Sequence, residues 1–292
     1  MNKKSTTGLP KSNSSLFVSD LDGTLLDGRA ELSERTRAGI QTVLDADVPF
    51  TIATARSVQS AQQIFDGIEL KLPIITFSGG FISNLSDGSF EYVLAIEPSI
   101  LDSILDMGRF EGLVPFVSSN DGDRDNLYFM EPENDGMKHY LDERRAMSDS
   151  RLRRAREFAD YHAESVVCIT YISRCERVAA LSERILSSGV AVTTSLFENP
   201  YANGWYWLTI RHPKARKGRA TRELMSRHGL ESHELVAFGD QIDDMELLGT
   251  ADRGVAVENG VRELRQSADE IIGSNQSDAV ILYIMDAAAL RG

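Results

Sequence analysis

Apolar residues along this chain fall into short blocks, and the blocks alternate with stretches of helical spacing. Leu16-Phe17-Val18, bounded by polar residues, predicts a short buried strand. In 32–46, Leu32, Ile40, Val43 and Leu44 recur at helical spacing, with Ser33 placed to cap the helix. A second apolar run, Val48-Pro49-Phe50-Thr51-Ile52-Ala53, predicts a strand, 58–65 a helix, and Leu72-Pro73-Ile74-Ile75-Thr76-Phe77 a third strand. Strand, helix, strand, helix, strand is the pattern of a parallel sheet with crossover helices.

Beyond Gly80 the pattern changes. Residues 81–96 predict hairpin strands around Ser86-Asp87-Gly88-Ser89, and 98–107 a helix with Pro98 at its start. Short strands are expected at Phe116-Val117 and 127–130, a charge-dense helix over 139–158, a strand over 166–172, a helix over 178–186, and strands over 190–196 and 205–210. The first pattern then returns: helix 218–227, strand 235–238, helix 245–248, strand 254–257, helix 261–268, strand 270–272 and a closing helix, 279–290. The expected architecture is α/β, a Rossmann-like parallel-sheet core over 16–81 and 211–292, interrupted by a separate α/β domain over 82–210, with 1–15 a disordered tail.

Composition narrows the function. The chain has 292 residues, 42% hydrophobic and 26% charged, which suits a folded globular protein with a real core. Its formal charge of −13 disfavours general nucleic-acid or anionic-membrane binding. Residues 1–15 carry Lys3 and Lys4 without an apolar segment, so no secretory signal is expected, and no run has the length of a membrane span. Cys168 and Cys175 cannot make a four-ligand zinc site by themselves and are expected to be buried thiols. A cytoplasmic location is expected.

Four apolar runs end in residues able to do chemistry: Asp20 and Asp22, Thr54 and Arg56, Asp240 with Asp244, and Asn259. In an open parallel sheet the carboxyl ends of the strands form the ligand crevice. Taken singly, the first acidic pair also fits a turn that caps a helix, and Asp240 with the acids after it fits a helix N-terminus equally well. Placed side by side, these ends would build one acidic cleft. Converging carboxylates repel one another unless a cation sits among them, and hard oxygen ligands with room for water suit Mg²⁺.

In order, Asp20-x-Asp22-Gly23-Thr24, Thr54-Ala55-Arg56, Lys217-Gly218 and Gly239-Asp240-x-x-Asp243-Asp244 resemble the four motifs of the haloacid dehalogenase superfamily. Within it, the chain resembles the Cof-type sugar-phosphate phosphatases, whose α/β cap is inserted between the second and third motifs. The resemblance covers nearly the whole chain apart from the N-terminal tail. It implies that Asp20 is a nucleophile and that Asp22 protonates the leaving oxygen and later activates water. It implies that Asp20, the backbone carbonyl of Asp22, and Asp240 hold Mg²⁺, with Asp244 completing or supporting the shell and Asp243 a further candidate. Thr54 would bind a phosphoryl oxygen and Lys217 would pair with Asp20 and the phosphate; Lys214 competes for that last role, but Gly218 and a helix follow Lys217 as in the family. Gly23, Arg56, Ser78, Gly79 and Asn259 complete the candidate phosphate-binding positions, Asn259 as a brace for the acidic loop. The chain departs from the family at Ala55, where Gly is frequent, and at Ser78 and Asp243, where Asn is frequent.

Other features have competing explanations. Arg56 fits either substrate contact or a salt bridge in the cleft wall. Arg144, Arg145, Arg151, Arg153, Arg154 and Arg156 are interleaved with Asp142, Glu143, Asp149 and Glu157, which predicts a solvated helix more than an anion site. Trp205 and Trp207 share a strand face, suiting the inserted domain's own core more than a sugar pocket. The resemblance implies a Mg²⁺-dependent phosphatase acting on small phosphorylated metabolites, sugar phosphates first, as a monomer or homodimer. Its rivals are a phosphomutase-like transfer enzyme and a non-catalytic phosphate-sensing module on the same fold.

Overall fold

The computed structural model describes residues 15–156, 163–198 and 202–290. The expected N-terminal tail lies outside them except for Ser15, which opens the first strand. The chain divides into two compact units, one running to Asp87 and resuming at Arg216, the other Gly88–Ala215.

The first unit is built on a five-stranded sheet. β1 (Ser15–Ser19) pairs in parallel with β2 (Phe50–Ile52) on one side and with β12 (Glu234–Gly239) on the other. β13 (Arg253–Val257) and β14 (Glu270–Ile272) extend it, also in parallel, to the order β14-β13-β12-β1-β2. β1, β13 and all of β12 after Glu234 are buried, so successive side chains on both faces of these strands leave solvent and their apolar residues run without alternation. Phe17, Val236, Phe238, Val255 and Val257 pack with Ile40, Val43, Val280, Ile281 and Ile284 from α1 (Glu34–Asp45) and α9 (Ala279–Ala287). Ser33 caps α1 as its sequence predicts, accepting from the Thr36 N–H at 2.9 Å.

The third expected strand, β3 (Ile74–Thr76), joins less regularly than a repeating crossover pattern predicts. It follows α2 (Val58–Ile64), meets the end of β2 through one parallel bridge, Ala53 to Ile75, and pairs antiparallel with β4 (Phe81–Ser83). That pairing keeps residues 82–87 with the first unit, so the division falls later than 82.

The second unit carries a six-stranded sheet of order β10-β11-β9-β6-β7-β8, formed by β6 (Pro115–Asn120), β7 (Asp125–Phe129), β8 (Leu152–Arg154), β9 (Ser165–Ser173), β10 (Thr193–Glu198) and β11 (Tyr206–Arg211). β7 and β8 pair in parallel and the other neighbours antiparallel. β5 (Phe90–Val93) precedes this sheet in the chain. α3 (Pro98–Phe110) and α5 (Cys175–Ser188) bury Leu101, Ile104, Val178 and Leu181 against Val117, Ile169 and Tyr171. α4 (Asp135–Ala146) packs Met137 and Leu141 against Phe116, Ile172 and Trp207.

The helix expected over 139–158, whose residues 157–158 lie outside the described ones, is corrected: α4 ends at Ala146, Ser148 takes a left-handed φ of 51°, and β8 follows. Arg151 is not on a solvated face. It is buried with Asp149, donating from Nε at 2.9 Å and Nη2 at 2.6 Å, and it also reaches Asp125 at 3.2 Å. Two opposite charges that satisfy each other can be buried where a single one cannot. Trp207 belongs to the unit's own core and Trp205 packs beside it. Cys168 is buried, whereas Cys175 is only half-buried. Among the described residues no helix is long and apolar enough to cross a membrane.

Candidate active site

The site lies within the first unit, at the carboxyl ends of β1 and β12. A tight turn over Leu21–Leu25 leaves β1 and is possible because Gly23 adopts φ +77°. A Cβ on Gly23 would lie 2.5 Å from Asp240 Oδ2, so the loop also needs glycine for close approach. Thr24, in the same turn, donates from Oγ1 to Asp240 Oδ1 at 2.9 Å across 216 positions of sequence. Gln241 Nε2 donates to the other oxygen, Asp240 Oδ2, at 2.8 Å.

Lys217 is the first residue of α6 (Lys217–Arg227) and is only 4% exposed. Its Nζ donates to Asp20 Oδ1 and to Asp244 Oδ1, both at 2.6 Å. Asp244 Oδ2 accepts from the backbone N–H groups of Asp240 and Gln241, each at 3.0 Å, which ties the loop after β12 to the turn of 242–244. Asp244 thus accepts from three donors, against two for Asp240 and one for Asp20, and suits a supporting position.

Asp20, Asp240 and Asp244 each place one carboxylate oxygen within 4.8 Å of the others. Three carboxylates beside one ammonium leave the cluster with excess negative charge, and the spacing fits one small cation with hard oxygen ligands. Burial raises the Asp20 carboxyl well above the ordinary range; Lys217 opposes this, and Asp244 and Asp240 add to it. Asp240 is pushed up to about 6 by burial and by the charge of Asp244, against its bonds from Gln241 and Thr24. Burial pulls the Lys217 ammonium down, but Asp20, Asp244 and Asp243 outweigh it and hold the charged form above the ordinary lysine range. A cation in the cluster would oppose the burial effect on the acids.

The other candidates sit around this centre in separate contacts. Asp22 is 48% exposed and turned to Arg56, which donates to both its oxygens, Nε to Oδ2 at 2.7 Å and Nη2 to Oδ1 at 2.5 Å. Arg56 also reaches Ser60 Oγ at 3.1 Å. Thr54 is buried, and its hydroxyl accepts from the Arg56 N–H at 3.1 Å, a bond that uses a lone pair and not the hydroxyl proton. Asp243 is outside the trio and accepts from Ser78 Oγ at 2.9 Å. Phe77, Ser78 and Gly79 take left-handed φ values of 49°, 50° and 99° in succession, a strained turn of the kind that gathers at functional sites. A Cβ on Gly79 would lie 2.5 Å from the Arg216 carbonyl, next to Lys217. Asn259 Nδ2 donates to the Gly23 carbonyl at 2.7 Å, while its Oδ1 accepts from the Asn275 N–H at 2.9 Å. Lys214 is exposed and falls in the other unit.

Sequence reasoning passed over Thr24, Gln241 and Asn275. Thr24 was legible as part of the turn but not as a donor to an acid 216 positions away. Asn275, which donates to the Leu26 carbonyl at 2.8 Å, sits in a loop with no periodicity to flag it.

With this geometry in place, comparison with known proteins decides the family. A family model described as haloacid dehalogenase-like hydrolase matches residues 17–284. The chain belongs to the haloacid dehalogenase-like hydrolases. It is an enzyme of that family, and its fold is the family's: a haloacid dehalogenase-like hydrolase from Bacteroides thetaiotaomicron superimposes with a TM-score of 0.74 at 20% identity, covering 93% of this chain and 98% of that one. The structure of TM0651 from Thermotoga maritima gives 0.74 at 24% identity, covering 93% and 97%. Among curated relatives, 5-amino-6-(5-phospho-D-ribitylamino)uracil phosphatase YitU of Bacillus subtilis is 24% identical over 94% of this chain and 98% of its own. A putative phosphatase of Haemophilus influenzae is 26% identical over 91% and 95%.

Proposed function

We propose that this hydrolase is a Mg²⁺-dependent phosphatase that cleaves small phosphorylated metabolites, sugar phosphates being the first class to test, through a phosphorylated Asp20. The observation that carries the reading is the Lys217 ammonium, 2.6 Å from both Asp20 and Asp244 inside a trio of acids spaced for one cation. A buried lysine between two acids opposes the burial that favours protonated Asp20 and orients its carboxyl group, both of which a carboxylate nucleophile requires. The relatives named phosphatases, one of them for a phosphoribityl compound, support a phosphomonoester as substrate.

In the first step an Asp20 carboxylate oxygen attacks phosphorus, the ester P–O bond breaks, and the leaving oxygen takes a proton from Asp22. In the second, water attacks phosphorus, Asp22 takes its proton, and inorganic phosphate leaves Asp20 restored. Both Asp22 oxygens accept from Arg56, so handing over a proton requires at least one of those bonds to be given up. Thr54 and Lys217 bind the phosphoryl oxygens, and Asn259 holds the Gly23 carbonyl so that the Asp20–Thr24 turn keeps its shape. Asp20, Asp240 and the Asp22 carbonyl would hold Mg²⁺, with Asp244 in support, and the ion would supply positive charge to offset the repulsion between nucleophile and phosphoryl group.

The test is phosphate release from p-nitrophenyl phosphate and a sugar-phosphate panel, with Mg²⁺ and with EDTA. Turnover that requires Mg²⁺ supports the reading; no turnover across the panel with Mg²⁺ present contradicts it.

A further inference from the structure

α6 lacks a cap of its own. Arg216 stands at its N-cap and makes no side-chain bond to the helix. The leading amides are bound instead by Glu246, from α7 (Met245–Thr250): Gly218 N–H donates to Oε2 at 2.7 Å and Arg219 N–H to Oε1 at 3.1 Å. The two helices touch there, since a Cβ on Gly218 would lie 2.6 Å from Thr250 Oγ1 and 2.8 Å from the Glu246 carbonyl. Lys217 immediately precedes those two amides, and its Nζ reaches Asp244, two residues before Glu246. The three residues Asp244 to Glu246, at the start of α7, therefore hold both the ammonium of Lys217 and the two backbone amides that follow it.

We infer that Glu246 is a positioning residue, whose carboxylate bridges two amides of α6 and thereby fixes the Lys217 ammonium between Asp20 and Asp244. The inference rests on the proposed role of Asp20 and Lys217. A lysine stem has four rotatable bonds, so its ammonium is held at two acids only if its backbone end is also fixed. Here each amide has a carboxylate oxygen to itself, whereas a glutamine would have to share its one carbonyl oxygen between both amides and turn its NH₂ toward a donor.

The test compares the full chain with Glu246→Ala, Glu246→Gln and Arg222→Ala. The last is a control that removes a different link between the helices, Arg222 Nη2 to the Thr250 carbonyl at 2.5 Å. Each protein is treated with acetic anhydride without metal, and acetylation of Lys217 is read by peptide mass. Lys217 should be protected in the wild type and in Arg222→Ala, labelled in Glu246→Ala, and labelled to a lesser extent in Glu246→Gln. With Mg²⁺ and p-nitrophenyl phosphate, Glu246→Ala should lower kcat roughly tenfold or more with little change in KM, and should have no further effect in a Lys217→Ala background. Protection of Lys217 in Glu246→Ala, equal labelling in Arg222→Ala, or full additivity with Lys217→Ala would overturn the inference. The labelling arm decides it even if no phosphate ester is turned over, so its failure and that of the phosphatase reading are separable.

Discussion

Arg56 grips both oxygens of Asp22, one at 2.7 Å and the other at 2.5 Å, across 34 positions of sequence. The acid proposed to serve the leaving group is thus oriented by a fork-to-fork pair rather than left to rotate in solvent. A proton donor matters most when the leaving group is a poor one. Asp22→Asn should therefore cost an alkyl phosphate such as glycerol phosphate on the order of 10²–10⁴ in kcat, and p-nitrophenyl phosphate at least about tenfold less. Arg56→Ala should follow the same leaving-group order with smaller losses. Equal losses on both substrates would remove Asp22 from the acid role.

Lys217 and its two acids are buried together, which makes the effects of single changes unequal. Lys217→Met strands Asp20 and Asp244 without their cation and should destabilise the metal-free protein by about 3–5 kcal/mol. Asp240→Asn removes one of the repelling carboxylates and should raise the metal-free Tm while abolishing the response to Mg²⁺. Denaturant unfolding of both variants with EDTA checks the two signs.

The strand ends were legible because a buried run that finishes in Asp, Thr or Asn breaks the pattern expected of a core strand. Asp20 and Asp240 come together from 220 positions apart on this basis, whereas Lys217, 197 positions from Asp20, was legible only through the family resemblance. What periodicity cannot tell is which neighbour a side chain turns to: Asp22 faces Arg56, Thr24 faces Asp240, and Glu246 caps a helix other than its own. The misread stretch after Ala146 has the same origin. Alternating acids and arginines describe a solvated helix until one Asp–Arg pair closes on itself and is buried, as Asp149 and Arg151 do. The stop was present in Ser148-Asp149, a pair that favours turns over helix interiors.

Gly23 is constrained twice, by φ +77° and by Asp240 Oδ2 at 2.5 Å from where a Cβ would stand. Gly23→Ala should cost about 1–2 kcal/mol from the backbone alone. It should also weaken Mg²⁺ binding, because Asp240 must move. Gly67→Ala, which has φ +77° with open space around it, is the matched control: it should lower stability and leave Mg²⁺ binding unchanged.

The acidic trio predicts a definite pH dependence. Asp240, pushed up to about 6, holds a proton in the metal-free fold that the unfolded chain has already released. The folded state therefore binds more protons between about pH 4 and pH 6, and metal-free stability should fall as pH rises through that window. Mg²⁺ must displace the proton, so the rise in Tm that it produces should be full at about pH 7.5 and shrink below about pH 6. Thermal unfolding across this range, with and without Mg²⁺, reads both trends. A Tm gain from Mg²⁺ that is the same at both ends would remove Asp240 from the metal site.

The central claim is that phosphoryl transfer passes through Asp20. Rapid quenching of the Mg²⁺-loaded enzyme during turnover, followed by borohydride reduction, converts an acyl phosphate to an alcohol that peptide mass spectrometry locates. The account predicts homoserine at position 20 and unmodified Asp22, Asp240 and Asp244. Steady turnover with the reduced residue at any other position would contradict it.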